Sequence, residues 1–128
     1  MIVLDTSAII DLAKGEQALL ALLHTKKKYA ISQLSAYEYI RGLYLRGYPE
    51  HTYLRHIQYL QQFHILTLHE KALFFAAQIS ANLIVKGLTI EDVDCLIAGT
   101  CLAYGHTTII TKNTKHFSRI EQLTVMGY

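Results

Sequence analysis

Met1–Leu12, MIVLDTSAIIDL, is the stretch whose reading decides the fold. Ile2, Val3 and Leu4 are apolar and largely β-branched, the composition of a short buried strand, and they run directly into Asp5. A carboxylate at the end of a strand is therefore expected. Thr6 and Ser7 offer N-cap hydroxyls ahead of Ala8, Ile9, Ile10 and Leu12, which predicts a turn from strand to helix at the acid. Ligands of open α/β sheets gather outside the carboxyl ends of the strands. Asp5 is thus a candidate site residue, and the remaining sequence decides whether other acids join it.

The pattern continues as alternating strands and helices. After a break at Lys14-Gly15, Gln17–His24 reads as a short helix, Tyr29–Ile31 as a second strand, and Gln33–Arg46 as a helix capped by Ser32. Gly47-Tyr48-Pro49 stops that helix, and the single proline suits the start of another over Glu50–Phe63. Ile65–Leu68 predicts a third strand, His69–Lys86 a long helix closed by Gly87, and Thr107–Thr111 a fourth strand; Leu123–Val125 is a candidate fifth. Between them, Thr89 and Asp92 have capping-box spacing ahead of a helix that is almost wholly apolar from Cys95 to Tyr104, hence buried. The expected architecture is a three-layer α/β/α fold with a mainly parallel sheet of four or five strands. Residues 1–128 read as one domain, with no linker or repeat.

Composition narrows function less. Hydrophobic residues make up 52% and charged residues 17%, which excludes a disordered chain, and a net charge of +2 neither requires nor excludes nucleic acid. Cys95 and Cys101 fall on different sides of one helix, so they are read as reduced core residues of a cytoplasmic protein. The seven histidines form no HExxH, and no apolar run reaches the roughly 18 residues of a membrane span.

Three acids stand out by position. Asp5 ends a strand; Glu38 lies mid-helix on a face with Leu34, Arg41 and Leu45; Asp94 leads an apolar helix face continued by Ile97, Ala98 and Cys101. Each has an ordinary reading: a cap for Asp5, a pair with Arg41 for Glu38, a dipole partner for Asp94. An ionised carboxylate on an apolar face is costly without a compensating cation or donors. Several oxygen ligands from separate elements at one sheet edge make a site for Mg²⁺ or Mn²⁺.

The segments LDTSAIIDL, SAYEYIRG, DCLIAG and IITKNTKHF, in this order, resemble the PIN domain of VapC type, the toxin half of prokaryotic toxin-antitoxin pairs. The resemblance implies metal-dependent endoribonuclease activity, with Asp5, Glu38 and Asp94 as catalytic metal ligands and Ser7 and Thr111 as supporting hydroxyls. It further implies products bearing a 3′-hydroxyl and a 5′-phosphate, a homodimer, and an antitoxin whose tail crosses the site. The sequence departs from the family where a further acid often follows the fourth strand, since Asn113 and His116 stand there instead. Asn113 is expected to support the site through its amide, and His116 to be a structural loop residue.

Arg41, Lys112 and Lys115 adjoin the acids' motifs and are the candidate RNA contacts. The run Lys26–Lys28 reads as a solvated turn, and His106 shows no site spacing. Tyr37, Ile40 and Tyr44 recur at helical spacing as a core face would, with an exposed aromatic groove as the other reading. Competing functions are a PIN module that binds RNA or protein without cutting, and an RNA-processing nuclease that is not a toxin. A receiver-like domain lacks its paired acids and phosphoacceptor, and a Rossmann or P-loop domain lacks its glycine signature.

Overall fold

A computed structural model describes residues 1–128. The strands are β1 (Val3–Leu4), β2 (Ala30–Ser32), β3 (His64–Leu66), β4 (Thr108–Ile110) and β5 (Thr124–Met126). They form one sheet in the order β3-β2-β1-β4-β5, and every neighbouring pair is parallel. The helices are α1 (Thr6–Lys14), α2 (Gln17–Leu22), α3 (Gln33–Leu45), α4 (Tyr53–Gln61), α5 (Glu70–Val85), α6 (Asp92–Ala103) and the single turn α7 (Thr114–Phe117).

Register explains why the central strands are apolar on both sides. Val3 pairs with Ala30 and Ile109, Leu4 with Ile31 and Ile110. Successive residues of a strand point to opposite faces. Val3, Ala30 and Ile109 accordingly join one core with Ile79, Leu83, Ile97 and Phe117 of α5 to α7, while Leu4, Ile31 and Ile110 join another with Ile9, Leu19, Leu43 and Leu60 of α1 to α4. The result is the three-layer α/β/α arrangement. The chain adds β2 and β3 on one side of β1, then returns to add β4 and β5 on the other. That reversal opens a crevice between the carboxyl ends of β1 and β4, where Asp5 and Thr111 sit.

Four sequence expectations need correction. The cap of α1 is Asp5 itself, which accepts from the Ala8 backbone N–H, so Thr6 and Ser7 lie inside the helix with their hydroxyls free for other work. Thr89 caps nothing: Ile90 is drawn into the core, and α6 begins only at Asp92, behind an extended Glu91 that makes no side-chain cap. Pro49 precedes a 3₁₀ turn, Glu50–Thr52, before α4 starts. Tyr37 and Tyr44 are 58% and 71% exposed; the inward face of α3 is Ala36, Tyr39 and Leu43, a set that fits the same 3.6-residue period. Small Ser35 and Ala36 lie against the sheet side at the start of α3, and Tyr39 finds a partner for its hydroxyl in His56 Nδ1 at 2.9 Å.

The α5–α6 contact is fixed by the absence of a side chain at Gly99. A Cβ there would stand 2.6 Å from the Ala76 nitrogen and 2.8 Å from the Ala72 carbonyl oxygen, and these backbone atoms have no rotamer to yield. Glycine to alanine inside a helix ordinarily stabilises by about 1 kcal/mol. Here overpacking wins, and Gly99→Ala is expected to destabilise by about 2 kcal/mol or more. A urea midpoint at or above that of the parent would show that the two helices separate freely.

Candidate active site

Asp5 follows β1 with its N–H bonded to the Ile110 carbonyl of β4 (3.1 Å), which ties the acid to the neighbouring strand's end. The residue is 4% exposed. Oδ1 accepts from Ser7 Oγ (2.7 Å) and the Ala8 N–H (3.0 Å), and Oδ2 accepts from Thr111 Oγ1 (2.6 Å). Thr111 accepts in turn from the Asn113 N–H (2.9 Å), and Ser7 Oγ from the Lys112 N–H (3.1 Å). The two predicted supporting hydroxyls thus hold Asp5 from both sides. Asn113 reaches this network through its backbone rather than its amide.

Glu38 and Asp94 approach from α3 and α6. Glu38 Oε1 accepts from Thr6 Oγ1 (2.6 Å), and Oε2 lies 3.7 Å from the Arg41 guanidinium. Thr6 gave no signal in the sequence beyond being a hydroxyl next to an acid. Asp94, partly buried in the first turn of α6, has Oδ2 3.5 Å from His116 Nδ1. The same ring nitrogen stands 3.0 Å from the Asn113 amide nitrogen. The two contacts ask opposite roles of Nδ1, and turning the Asn113 amide over reconciles them. His116, expected to be merely structural, therefore faces an acid.

Charge at the site is poorly compensated. Burial holds the Asp5 carboxyl above its ordinary range; Thr111, Ser7 and Ala8 pull it back, and the charge of Glu38 pushes it up again. Burial, then the charge of Glu91, raise Asp94, with His116 opposing and Asp5 adding. Each acid thus feels another across the crevice. None of the four ion pairs of the chain includes Asp5. No three His, Cys, Asp or Glu side chains stand together as a ready-made metal cage. The carboxylates have separate partners: Thr6 for Glu38, Ser7, Ala8 and Thr111 for Asp5, and His116 for Asp94. An all-oxygen set with an unpaired buried acid at its centre nevertheless fits a hard divalent cation in its chemistry.

Of the candidate RNA contacts, Arg41 is half exposed and lies over the Tyr37 ring, 5.5 Å from its centroid. Lys112 lies 3.7 Å from Asp11 Oδ2, which also accepts from the Tyr128 hydroxyl (2.6 Å). Lys115 is exposed on α7. Asp11, in α1, thus anchors a rim lysine.

Known proteins share the family and the fold. The PIN domain model matches residues 2–123. The chain belongs to the PIN domain family. It is 30% identical to Ribonuclease VapC1 of Methanocaldococcus jannaschii over 99% of this chain and 86% of that protein, and 29% identical to Ribonuclease VapC1 of Rickettsia felis over 98% and 94%. Among solved structures, VapBC2 from Rickettsia felis bound to a DNA fragment from its promoter matches with a TM-score of 0.85 and 27% identity, over 100% of this chain and 99% of that one. The PIN fold is therefore shared along the whole described length.

Thr111→Val keeps the side-chain shape and removes one donor to Asp5 and one acceptor for Asn113. With both partners buried or half-buried, the expected loss is about 2 kcal/mol, and Thr111→Ser should retain most of the stability. Equal melting of the valine variant and the parent would show that Thr111 does not hold the acid.

Proposed function

We propose that this PIN-domain protein, a single domain over residues 1–128, is a metal-dependent endoribonuclease and the toxin of a VapBC-type pair. The observation that carries the reading is Asp5: a carboxylate with no cationic partner, held from three directions at the switch point of the sheet, with two further acids converging from α3 and α6. The ribonuclease names of the relatives supply the substrate class. Asp5, Glu38 and Asp94 hold Mg²⁺, with Mn²⁺ as an alternative. When bound, the cation supplies Lewis acidity toward a phosphoryl oxygen and acidifies an attacking water.

The chain's own residues do the rest. Ser7 and Thr111 keep Asp5 oriented and ionised by donating to both of its oxygens. Thr6 fixes one oxygen of Glu38 and leaves the other free to leave Arg41. Arg41, Lys112 and Lys115 line the rim as phosphate contacts, which orient the backbone without reading sequence. Hydrolysis joins the water oxygen to phosphorus and breaks the bond to the 3′ oxygen, leaving a 3′-hydroxyl and a 5′-phosphate. The further corner, at Asn113 and His116, offers no carboxylate, so one firmly held ion is the reading we adopt. No helix is long and apolar enough to cross a membrane, and with both cysteines free and buried we assign the protein to the cytoplasm.

Asp5→Asn and Asp94→Asn are expected to lower cleavage of structured RNA in Mg²⁺ or Mn²⁺ by at least about a hundredfold. Asn caps a helix as well as Asp does, so Asp5→Asn should melt no lower than the parent in chelator. It should also lose the rise in melting temperature that added Mn²⁺ gives the parent. Full activity in either variant would refute the site assignment.

The partner expected is an antitoxin, as in the VapBC neighbours, together with a second copy of the chain. Light scattering at micromolar concentration should give twice the 14.5 kDa mass of one chain. A monomeric mass would remove the homodimer from the proposal.

A further inference from the structure

The lysine run that the site leaves unused lies at the opposite edge of the sheet. Because β1, β2 and β4 are parallel, the residues preceding them share one edge, and the acids share the other. Between those leading segments lies a cavity of about 370 Å³, lined by Lys27, Lys28, His106, Thr107 and Thr108 with parts of Met1, Ile2, Tyr29 and Gly105. No Asp or Glu lines it. A volume of this order takes a small guest or one unit of a polymer. Burial, then the Met1 amino group, which stands 3.2 Å from the ring's Nδ1, then His64 hold His106 below its ordinary pKa.

An aromatic ring adjoins the cavity. Tyr104 stacks on His106 with an interplanar angle of 13° and centroids 6.4 Å apart, and the His69 ring is tilted against it at 5.1 Å. Its hydroxyl is fixed 2.7 Å from Thr67 Oγ1 and accepts from the Thr67 N–H at 3.2 Å. The ring is thus held in place while remaining 36% exposed. A lysine run before a strand is ordinarily a solvated turn. Here two of its members instead line a concave space without acids, next to a rigid ring.

We propose that this cavity is a second RNA-contacting site, where Lys27 and Lys28 hold a backbone phosphate and Tyr104 offers a face to a base. The proposal rests on the ribonuclease reading for its choice of polymer. The strands that separate the two edges are only two or three residues long, about 10 Å. Helices cover both faces of the sheet, however, so an RNA that reaches both edges has to pass round a helical layer. Only an RNA longer than a short oligomer touches both. The cavity therefore selects for substrate length and shape and leaves the chemistry to the acids.

The test titrates a labelled hairpin RNA, a labelled single-stranded hexamer and a labelled DNA duplex against Asp5→Asn protein and its Lys27→Glu/Lys28→Glu derivative. Thermal melting checks the fold, and Lys27→Ala/Lys28→Ala serves if charge reversal lowers the melting temperature. Hairpin affinity should fall by roughly tenfold and its logarithmic salt dependence should become shallower by about one to two, with hexamer binding unchanged. Tyr104→Ala should weaken the hairpin by about fivefold or more, with the salt slope unchanged. Unchanged hairpin affinity and slope overturn the proposal, as does an equal loss for the hexamer, which would trace the effect to net charge. A loss confined to duplex DNA overturns it too. If the parent fails to cleave while hairpin binding still depends on the lysines, the nuclease reading falls and the cavity stands.

Discussion

The structure turns on a buried carboxylate. Asp5 lies where β1 and β4 part, and its backbone N–H is already committed to β4 through Ile110. Its backbone cannot shift without breaking a bond that joins the two halves of the sheet. Taking an ionised acid out of water costs several kcal/mol unless donors or a cation repay it. Three donors repay part: the Ala8 N–H lies in the first turn of α1, Ser7 also accepts from Lys112, and Thr111 from Asn113. The demand of one side chain thereby orders the loop after β4, which carries most of the rim.

Asp94 depends on the same edge by another route. Its helix α6 is buried because it packs on α5 at backbone distance through Gly99 and on the sheet through Ile97 and Ala98. A helix held that tightly cannot rotate to free its first-turn acid. Asp94 therefore meets the crevice half-buried, where Asp5 and Glu91 raise its pKa and His116 lowers it. Glu38 differs, since α3 leaves it more exposed and Thr6 and Arg41 each take one oxygen. Asp94 is positioned by helix packing, and Asp5 and Glu38 by the hydrogen bonds they accept.

Much of this was legible in the sequence because it follows from short-range patterns. Apolar runs of two to four residues leading into Asp5, Ser32 and Thr111 marked the strand ends, and helical spacing put Glu38 on a face with Leu34 and Arg41 and Asp94 at the head of an apolar face. What was not legible depends on phase and on distant partners. The period of α3 admits two faces, Tyr37–Tyr44 or Ala36–Leu43, and only contact with the sheet chooses between them. The capping box at Thr89 failed because burial of Ile90 outweighs one cap bond, worth about 1 kcal/mol. Thr6, His116 and Asp11 carry no local signal, for their partners lie 32, 22 and 117 residues away in Glu38, Asp94 and Tyr128. The assignment of Asp5, Glu38 and Asp94 as ligands stays a proposal.

The energetics weigh against a purely structural role for these acids. A structural carboxylate is expected to sit at low cost, as Glu121 does in its exposed pair with Lys86 at 3.1 Å. Asp5 does the opposite, since Asn would cap α1 equally well without the burial penalty. An RNA-binding module without catalysis would gain by that replacement, because a buried anion at the binding edge repels phosphate. Retaining Asp5 among two further acids is favourable only if something positive completes the set when the site works. In the proposed function, Asn113 and His116 add no carboxylate to the set, so the proposed phosphate contacts Arg41, Lys112 and Lys115 would share in balancing the substrate's charge.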